Sequence, residues 1–228
     1  MGRTSKYWSL AAGLCVLLVS TPRTVSAQPN AQQGCASVAE WSSCDLAFEL
    51  TAQDNPAQAT LRGEFRSPRH RTYLLNAFRE GNRLIFRFAP TEPGTWDYKL
   101  TSNVTRWNDQ EGQINASEAP EAPGFVQVRN VHHFATEGNA KQHLWMASLL
   151  DRFTELPRPD FDKAIAERTD AKSTHVRVTL AANTNLNEAA ERIRAINAKG
   201  LVADVVLAAI PLEAPARRQY MADVSARL

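Results

Sequence analysis

The chain has 228 residues, 43% of them hydrophobic, and a formal net charge of +2 at pH 7. This length accommodates one large domain or two small ones. Lysine and arginine are scattered rather than clustered, and nucleic-acid recognition normally needs a basic stripe, so the composition excludes nucleic acid as an expected partner.

The first 27 residues have the pattern of a secretory signal peptide. Arg3 and Lys6 form a short basic segment, residues 8–19 are apolar, and small residues precede a cleavage position after Ala27. A membrane-spanning helix needs about 20 apolar residues, which is more than this run supplies; a retained membrane anchor is the alternative. We therefore expect a secreted or periplasmic protein with no stable membrane insertion after signal cleavage.

Removal of the signal leaves two cysteines, Cys35 and Cys44. An even number of cysteines in an exported chain favours a disulfide, and closing so short a loop contributes about 2–3 kcal/mol at most. Two free thiols are the alternative. Residues 28–40 are polar and rich in Gln and Ala, which predicts a flexible mature amino terminus over residues 28–44.

From residue 45 to residue 134 the hydrophobic pattern has a period of two, which is typical of half-buried strands. Runs at 45–51, 83–88, 95–101 and 124–129 alternate in this way, and turn sequences at 80–82 and 92–94 separate some of them. Several short strands at this spacing predict an antiparallel, immunoglobulin-like β-sandwich over residues 45–134.

Trp96 and Tyr98 raise the question of whether this sandwich binds sugars through stacked rings. Both alternate with the polar residues Asp97 and Lys99, and Leu100 continues the apolar face. A large aromatic side chain beside aliphatic partners is typical of a sandwich core. The alternation therefore favours a core position over a sugar platform.

The pattern changes after residue 134, where strands and helices alternate. Apolar strand-like runs lie at 143–150, 175–183 and 201–211, and helical patterns lie at 160–169, 186–199 and 215–228, with Gly200 ending the second helix. This order predicts a parallel sheet. A (β/α)₈ barrel needs roughly 250 residues, so the segment 135–228 predicts about three βα units of an incomplete TIM barrel, or else a small open α/β layer.

The first half resembles a β-sandwich domain of unknown function that precedes apiosidase-like and cellulase-like (β/α)₈ glycoside hydrolases. The resemblance covers residues 45–138. It rests on an ordered set of residues: Arg87, Phe88, Pro90, Gly94, Trp96, Tyr98, Gly124, Phe134 and Gly138.

The second half resembles the beginning of the associated barrel. Residues 174–178 resemble its second strand, where the family places an arginine that supports the catalytic nucleophile, here Arg177. Residues 196–211 resemble the third strand and include Asp204. The first strand, 146–150, departs from the family pattern. The resemblance also implies that both catalytic carboxylates lie on later strands, which this sequence does not contain.

Retaining glycoside hydrolysis needs two carboxyl groups about 5–5.5 Å apart. Asp151, Glu155 and Glu213 follow strand ends, but none matches a catalytic position of the family, so we interpret them as loop or helix-capping residues. No catalytic residue is predicted. Asp204 lies within a strand and is interpreted as structural.

Arg177 is the strongest candidate for a functional side chain. An arginine inside a buried strand needs a carboxylate partner, which would be the nucleophile of a complete barrel; a structural ion pair is the alternative. Asn183 follows the same strand and is a weaker candidate for contact with sugar hydroxyls. Trp145 is interpreted as a packing residue.

The histidines show no metal-ligand spacing, and the sequence has no Gly-rich phosphate loop, so no metal or cofactor is expected. We expect an exported glycoside-hydrolase-like fragment that is inactive alone, with a polysaccharide or oligosaccharide as partner. A non-catalytic carbohydrate-binding or scaffold sandwich is the alternative, and a truncated, poorly folding reading frame is a third interpretation.

Overall fold

The computed structural model describes residues 35–228. The predicted signal peptide at 1–27 and the first part of the expected flexible terminus, residues 28–34, lie outside the described residues. Within residues 35–228, no helix combines the length and the apolar character that crossing a membrane requires.

The first part of the chain forms two sheets. The larger sheet has the spatial order β1 (Ser37–Ala39), β8 (Glu111–Ser117), β7 (Gly94–Ser102), β3 (Leu61–Arg66) and β4 (Thr72–Asn76); β1 runs parallel to β8, and the other pairs are antiparallel. The smaller antiparallel sheet has the order β2 (Cys44–Glu49), β6 (Arg83–Phe88) and β5 (Phe78–Glu80). Three 3₁₀ helices, Ala52–Asp54, Pro56–Gln58 and Thr105–Trp107, connect these strands. We call this part the two-sheet unit.

The two sheets share one hydrophobic core. Phe65 of β3 lies between rings of β6, with its centroid 5.4 Å from that of Phe86 and 4.8 Å from that of Phe88. Trp96 is 1% exposed, and its indole N–H donates to the Glu92 carbonyl at 3.0 Å. The prediction that Trp96 and Tyr98 are core residues is confirmed, because both belong to this cluster.

The described part of the expected flexible terminus is held in place, which corrects that expectation for residues 35–44. Ser37–Ala39 pairs with Asn115–Ser117, and a disulfide joins Cys35 to Cys44 with their Cα atoms 5.3 Å apart. A strand of three residues is too short to give a periodic hydrophobic signal, so only its partner strand shows where it belongs.

A separate small sheet follows the two-sheet unit. It consists of β9 (Val126–Arg129), β10 (His133–Thr136) and β11 (Gln142–His143), all antiparallel. The sequence placed residues 124–134 in the sandwich. The structure corrects this boundary, because β9 and β10 find their hydrogen-bond partners in each other and in β11, whereas the strands of the two-sheet unit end at Ser117.

The last part contains a parallel sheet of β12 (Ala147–Leu150), β13 (His175–Leu180) and β14 (Val202–Leu207), with β13 in the middle. The helices are α1 (Arg158–Asp170), α2 (Leu186–Asn197) and α3 (Ala214–Arg227). The strand–helix alternation was thus predicted correctly. Pro159 lies in the first turn of α1, where a missing N–H has no cost, so the helix begins before the predicted start at residue 160.

The two faces of the parallel sheet differ in burial. Val176, Val178 and Leu180 of β13 are fully buried and belong to one cluster with residues of α1 and α2. On the other face, Leu149 and Val206 are 56% and 40% exposed. We call this second surface the open face.

Candidate functional site

Arg177 lies on the open face, in the middle of β13 and in register with Leu149 and Asp204. Its Nε and Nη2 atoms donate to the same oxygen of Asp204, at 2.8 and 2.6 Å. The Arg177 side chain is 50% exposed. The prediction that this arginine is buried is wrong, because the described residues do not cover its face of the sheet. Its contact with Asp204 is a structural ion pair, which was the alternative interpretation.

Asn183 lies in the exposed turn between β13 and α2. It follows the carboxyl end of β13, and parallel strands bring all their carboxyl ends to one edge, so it shares that edge with Asp151 at the end of β12. In the same turn, Asn185 caps α2 by accepting bonds from the backbone N–H groups of Asn187 and Glu188. The proposed contact of Asn183 with sugar hydroxyls stays a prediction.

The three acidic side chains near strand ends have local positions that fit a structural rather than a catalytic role. Asp151 accepts a hydrogen bond from the Thr179 hydroxyl at 2.6 Å. Arg152 donates to Glu155 at 2.7 Å and holds the pKa of that carboxyl below its ordinary value, whereas a general acid needs a raised pKa. Glu213 is exposed at the N-cap position of α3.

A cluster of four ring side chains lies at the amino-terminal end of the parallel strands: Phe134, His143, Trp145 and His175. The Nε2 atoms of His143 and His175 are 2.7 Å apart. The Trp145 ring stacks on His175 with centroids 4.0 Å apart and planes 11° apart, and Phe134 lies 5.1 Å from Trp145. We call these residues the His–Trp cluster.

Sequence reasoning did not find the His–Trp cluster. His143 and His175 are 32 residues apart in the chain, and no short motif links them. Only the pairing of β12 with β13 brings the segment around Trp145 next to the start of β13. Across residues 35–228, no group of three or more His, Cys, Asp or Glu side chains is arranged to hold a metal ion.

The outer face of the larger sheet carries charged side chains on β3, β7 and β8. Adjacent strands place Glu64, Lys99 and Glu111 in one row, and the Lys99 Nζ atom is 3.6 Å from a Glu111 carboxylate oxygen. This row borders a groove of about 420 Å³. A sugar platform needs an exposed ring, but Trp96 and Tyr98, on the same strand as Lys99, are only 1% and 7% exposed.

Comparison with known proteins adds two findings. Residues 37–103 match a family described as "Domain of unknown function (DUF5060)", a stretch that ends at the junction after β7. The fold is similar to the crystal structure of a "putative glycoside hydrolase" from Bacteroides vulgatus ATCC 8482, with a TM-score of 0.65 and 18% sequence identity. That similarity covers 75% of this chain and 41% of the other. No curated protein matches the chain.

These findings support a coarse statement only. The chain contains a segment that matches a domain of unknown function, and its fold is similar to that of a protein described as a "putative glycoside hydrolase". The predicted resemblance is confirmed to that extent. The chain spans less than half of the length of the similar structure, so these findings do not establish the activity of a complete protein.

Proposed function

We propose that this chain is the amino-terminal part of an exported glycoside-hydrolase-like protein that acts on a polysaccharide or oligosaccharide, and that the chain alone does not cleave glycosidic bonds. The observation that carries the proposal is the open face of the parallel sheet. Export is supported by the signal-like sequence of residues 1–27.

The open face has the character of the inner wall of an incomplete barrel. In a (β/α)₈ barrel the helices form an outer ring and the inward side chains are packed in layers. Here α1 and α2 cover one face of three parallel strands, and Leu149, Arg177 and Val206 are exposed on the other. Three strands do not enclose a centre. The partial coverage of the similar structure, 41% of its length, supports the same interpretation.

The chemistry of the strand ends supports inactivity of the chain alone. Two opposed carboxyl groups are needed, one of them with a raised pKa. Asp151 and Glu155 are instead bound to Thr179 and Arg152. Arg177 is bound to Asp204 and still has half of its surface exposed, so it remains available to support a carboxylate supplied by further strands.

In this proposal the two-sheet unit is an accessory layer rather than a lectin. Its large rings form the core, as Phe65, Phe86 and Trp96 show by being at most 1% exposed. Exposed rings occur instead in the small sheet and the adjoining segment, at Phe125, Phe134 and Trp145.

Hydrolysis of a panel of aryl glycosides and polysaccharides tests the proposal. We expect no turnover above background by the pure chain of residues 28–228. The matched sample is the product of the longest reading frame that contains this chain, which is expected to hydrolyse at least one member of the panel. The proposal that the chain alone is inactive would be overturned if the chain alone hydrolysed a substrate and Asp151→Asn or Glu213→Gln abolished that hydrolysis.

A longer product without glycosidase activity would overturn the assignment to glycoside hydrolysis. Retention of the pure chain on insoluble polysaccharide, without hydrolysis, would favour the carbohydrate-binding alternative. Amino-terminal sequencing of the exported protein checks the signal peptide, for which Gln28 is the expected first residue; a first residue of Met1 contradicts export with cleavage.

A further inference from the structure

The His–Trp cluster joins two separate sheets. His143 is the last residue of β11 in the small sheet, and His175 is the first residue of β13 in the parallel sheet. The His175 side chain is 1% exposed, with Trp145 stacked on one side of it and the edge of His143 against its Nε2 atom. Phe134 of β10 contacts the same indole, so the small sheet and the parallel sheet meet in this cluster.

The contact between the two histidines requires a particular protonation state. A hydrogen bond between two Nε2 atoms needs a proton on one of them and a lone pair on the other. Two neutral rings satisfy this requirement, and so does one neutral ring with one imidazolium. Two imidazolium rings do not, because N–H groups of like charge would then face each other at 2.7 Å.

The second nitrogen of His175 makes its protonation still less favourable. Nδ1 is buried and has no hydrogen-bond partner among the described residues. An imidazolium carries a proton on both nitrogens, so a charged His175 would bury an N–H donor without an acceptor. Full protonation of the pair is therefore compatible only with separation of the rings.

We propose that His143 and His175 form an acid-sensitive latch, which holds the small sheet against the parallel sheet while at least one ring is neutral and releases it when both are protonated. The proposal is independent of the function of the protein, because it rests on the geometry of the pair alone.

The charged groups that act on His175 set the pH range of the latch. Burial lowers the pKa of His175, the neighbouring His143 lowers it further, and the Asp204 carboxylate on β14 raises it. Asp204 is bound to Arg177 of β13 at 2.6 Å, which reduces its influence. Burial also lowers the pKa of His143. On β10, the ring of His133 is exposed and contacts Asn130 instead.

The direction of the pH dependence follows from these shifts. A released histidine regains its ordinary pKa of 6.5, so the released state binds more protons than the latched state at acidic pH. The latch is therefore fully stable above pH 6.5 and weakens as the pH falls below that value. For each proton taken up on release, the equilibrium constant for opening increases by about tenfold for every unit by which the pH falls.

Hydrogen exchange of the full chain between pH 7.5 and 5 tests the latch. After correction for the intrinsic exchange rate, opening of residues 126–143 is expected to increase below pH 6.5, at least tenfold in total. Peptides from Leu61–Arg66 and Gly94–Ser102 of the two-sheet unit are expected to stay unchanged. Uniform loss of protection in both regions would contradict a local latch.

Two variants separate the latch from other acid effects. In His143→Gln, the side-chain carbonyl accepts from His175 Nε2 whether or not His175 is charged, so the rise in opening between pH 7.5 and 5 should be smaller, with a lower slope against pH, than in the wild type. The control is His133→Gln, in the same small sheet, which should keep the wild-type slope. A wild-type slope in His143→Gln, or no acid step in the wild type, overturns the proposal.

An NMR titration of the unmodified chain gives a result even if His143→Gln fails to fold. The imidazole C2–H signals of His143 and His175 are expected to titrate as a coupled pair with apparent pKa values below 6.5. Independent titration of both rings at their ordinary pKa, without change in the amide signals of residues 126–143, would overturn the latch.

Discussion

At the scale of single residues, the sequence predicted the burial of one key side chain correctly and that of another wrongly. Trp96 was expected in a core because apolar and polar residues alternate around it, and it is 1% exposed. Arg177 was expected to be buried because it lies within an apolar strand of a predicted parallel sheet, but its side chain is 50% exposed. The alternation of a strand assigns residues to two faces; it does not say whether a second layer covers each face.

The first prediction concerns Trp96. Trp96→Ala removes a ring that contacts Phe88 with centroids 5.0 Å apart, and it leaves the Glu92 carbonyl without its indole donor. We expect the free energy of unfolding to fall by about 3–5 kcal/mol, because a large cavity opens in the core. Urea denaturation followed by circular dichroism measures this change.

The control for Trp96 is an exposed position on the same strand. Thr101→Ala is expected to change the free energy of unfolding by no more than about 0.5 kcal/mol. A loss of less than about 1 kcal/mol in Trp96→Ala would show that the ring is not part of a tightly packed core.

At the scale of elements, the parallel sheet has one exposed face and two unpaired edges. Both β12 and β14 have one edge without a partner strand in the described sheet, and Leu149 and Val206 are exposed on its open face. Unpaired edges and exposed apolar faces are sites of association between chains. The core residues of the two-sheet unit, by contrast, lie between its two sheets.

The second prediction concerns Val206 of β14, which is 40% exposed. Val206→Lys adds a charge to the open face without opening a cavity, so the free energy of unfolding is expected to change by about 1 kcal/mol or less. The rate of aggregation is expected to fall, because charge repels a second copy of the sheet. Light scattering at fixed protein concentration measures this rate.

The matched control for Val206 lies on another exposed edge. Leu74 of β4 is 78% exposed at the border of the larger sheet of the two-sheet unit. Leu74→Lys is expected to leave the aggregation rate close to that of the wild type. Equal protection by both substitutions would mean that the parallel sheet is not the main site of association.

At the scale of the whole molecule, the end of α3 connects the parallel sheet to the two-sheet unit. The Arg227 guanidinium lies over the Phe78 ring with its central carbon 4.9 Å from the centroid, and its Nη2 atom donates to the Arg79 carbonyl at 2.7 Å. Arg87 donates to the Arg227 carbonyl and holds Asp45 with two bonds of 2.8 Å. These contacts fix α3 against β5 and β6.

The third prediction concerns Arg227. Arg227→Ala removes the cation–π contact with Phe78 and the bond to the Arg79 carbonyl, so α3 is expected to detach more often from the two-sheet unit. Limited proteolysis measures this detachment. We expect the part of the chain that follows residue 118 to be cleaved faster, and a fragment that contains the two-sheet unit to resist cleavage. Arg217→Ala, at an exposed position near the start of the same helix, is the control and should be cleaved at the wild-type rate. Equal rates for the two variants would contradict a role of Arg227 in docking.

The sequence patterns missed the strands Leu61–Arg66, Thr72–Asn76 and Glu111–Ser117. They correctly predicted the core position of Trp96 and the strand–helix order of the last part of the chain. A period of two around Trp96 and the strand–helix alternation after residue 142 were enough, because each follows from local side-chain patterns that the backbone geometry imposes. Four features follow only from the folded arrangement of the chain: the short strand Ser37–Ala39, the grouping of β9, β10 and β11, the exposure of Arg177, and the contact of His143 with His175. Each of these features depends on which distant segment of the chain becomes a neighbour in space. Hydrogen bonds between distant segments, and the burial of one segment by another, leave no periodic signal in the sequence.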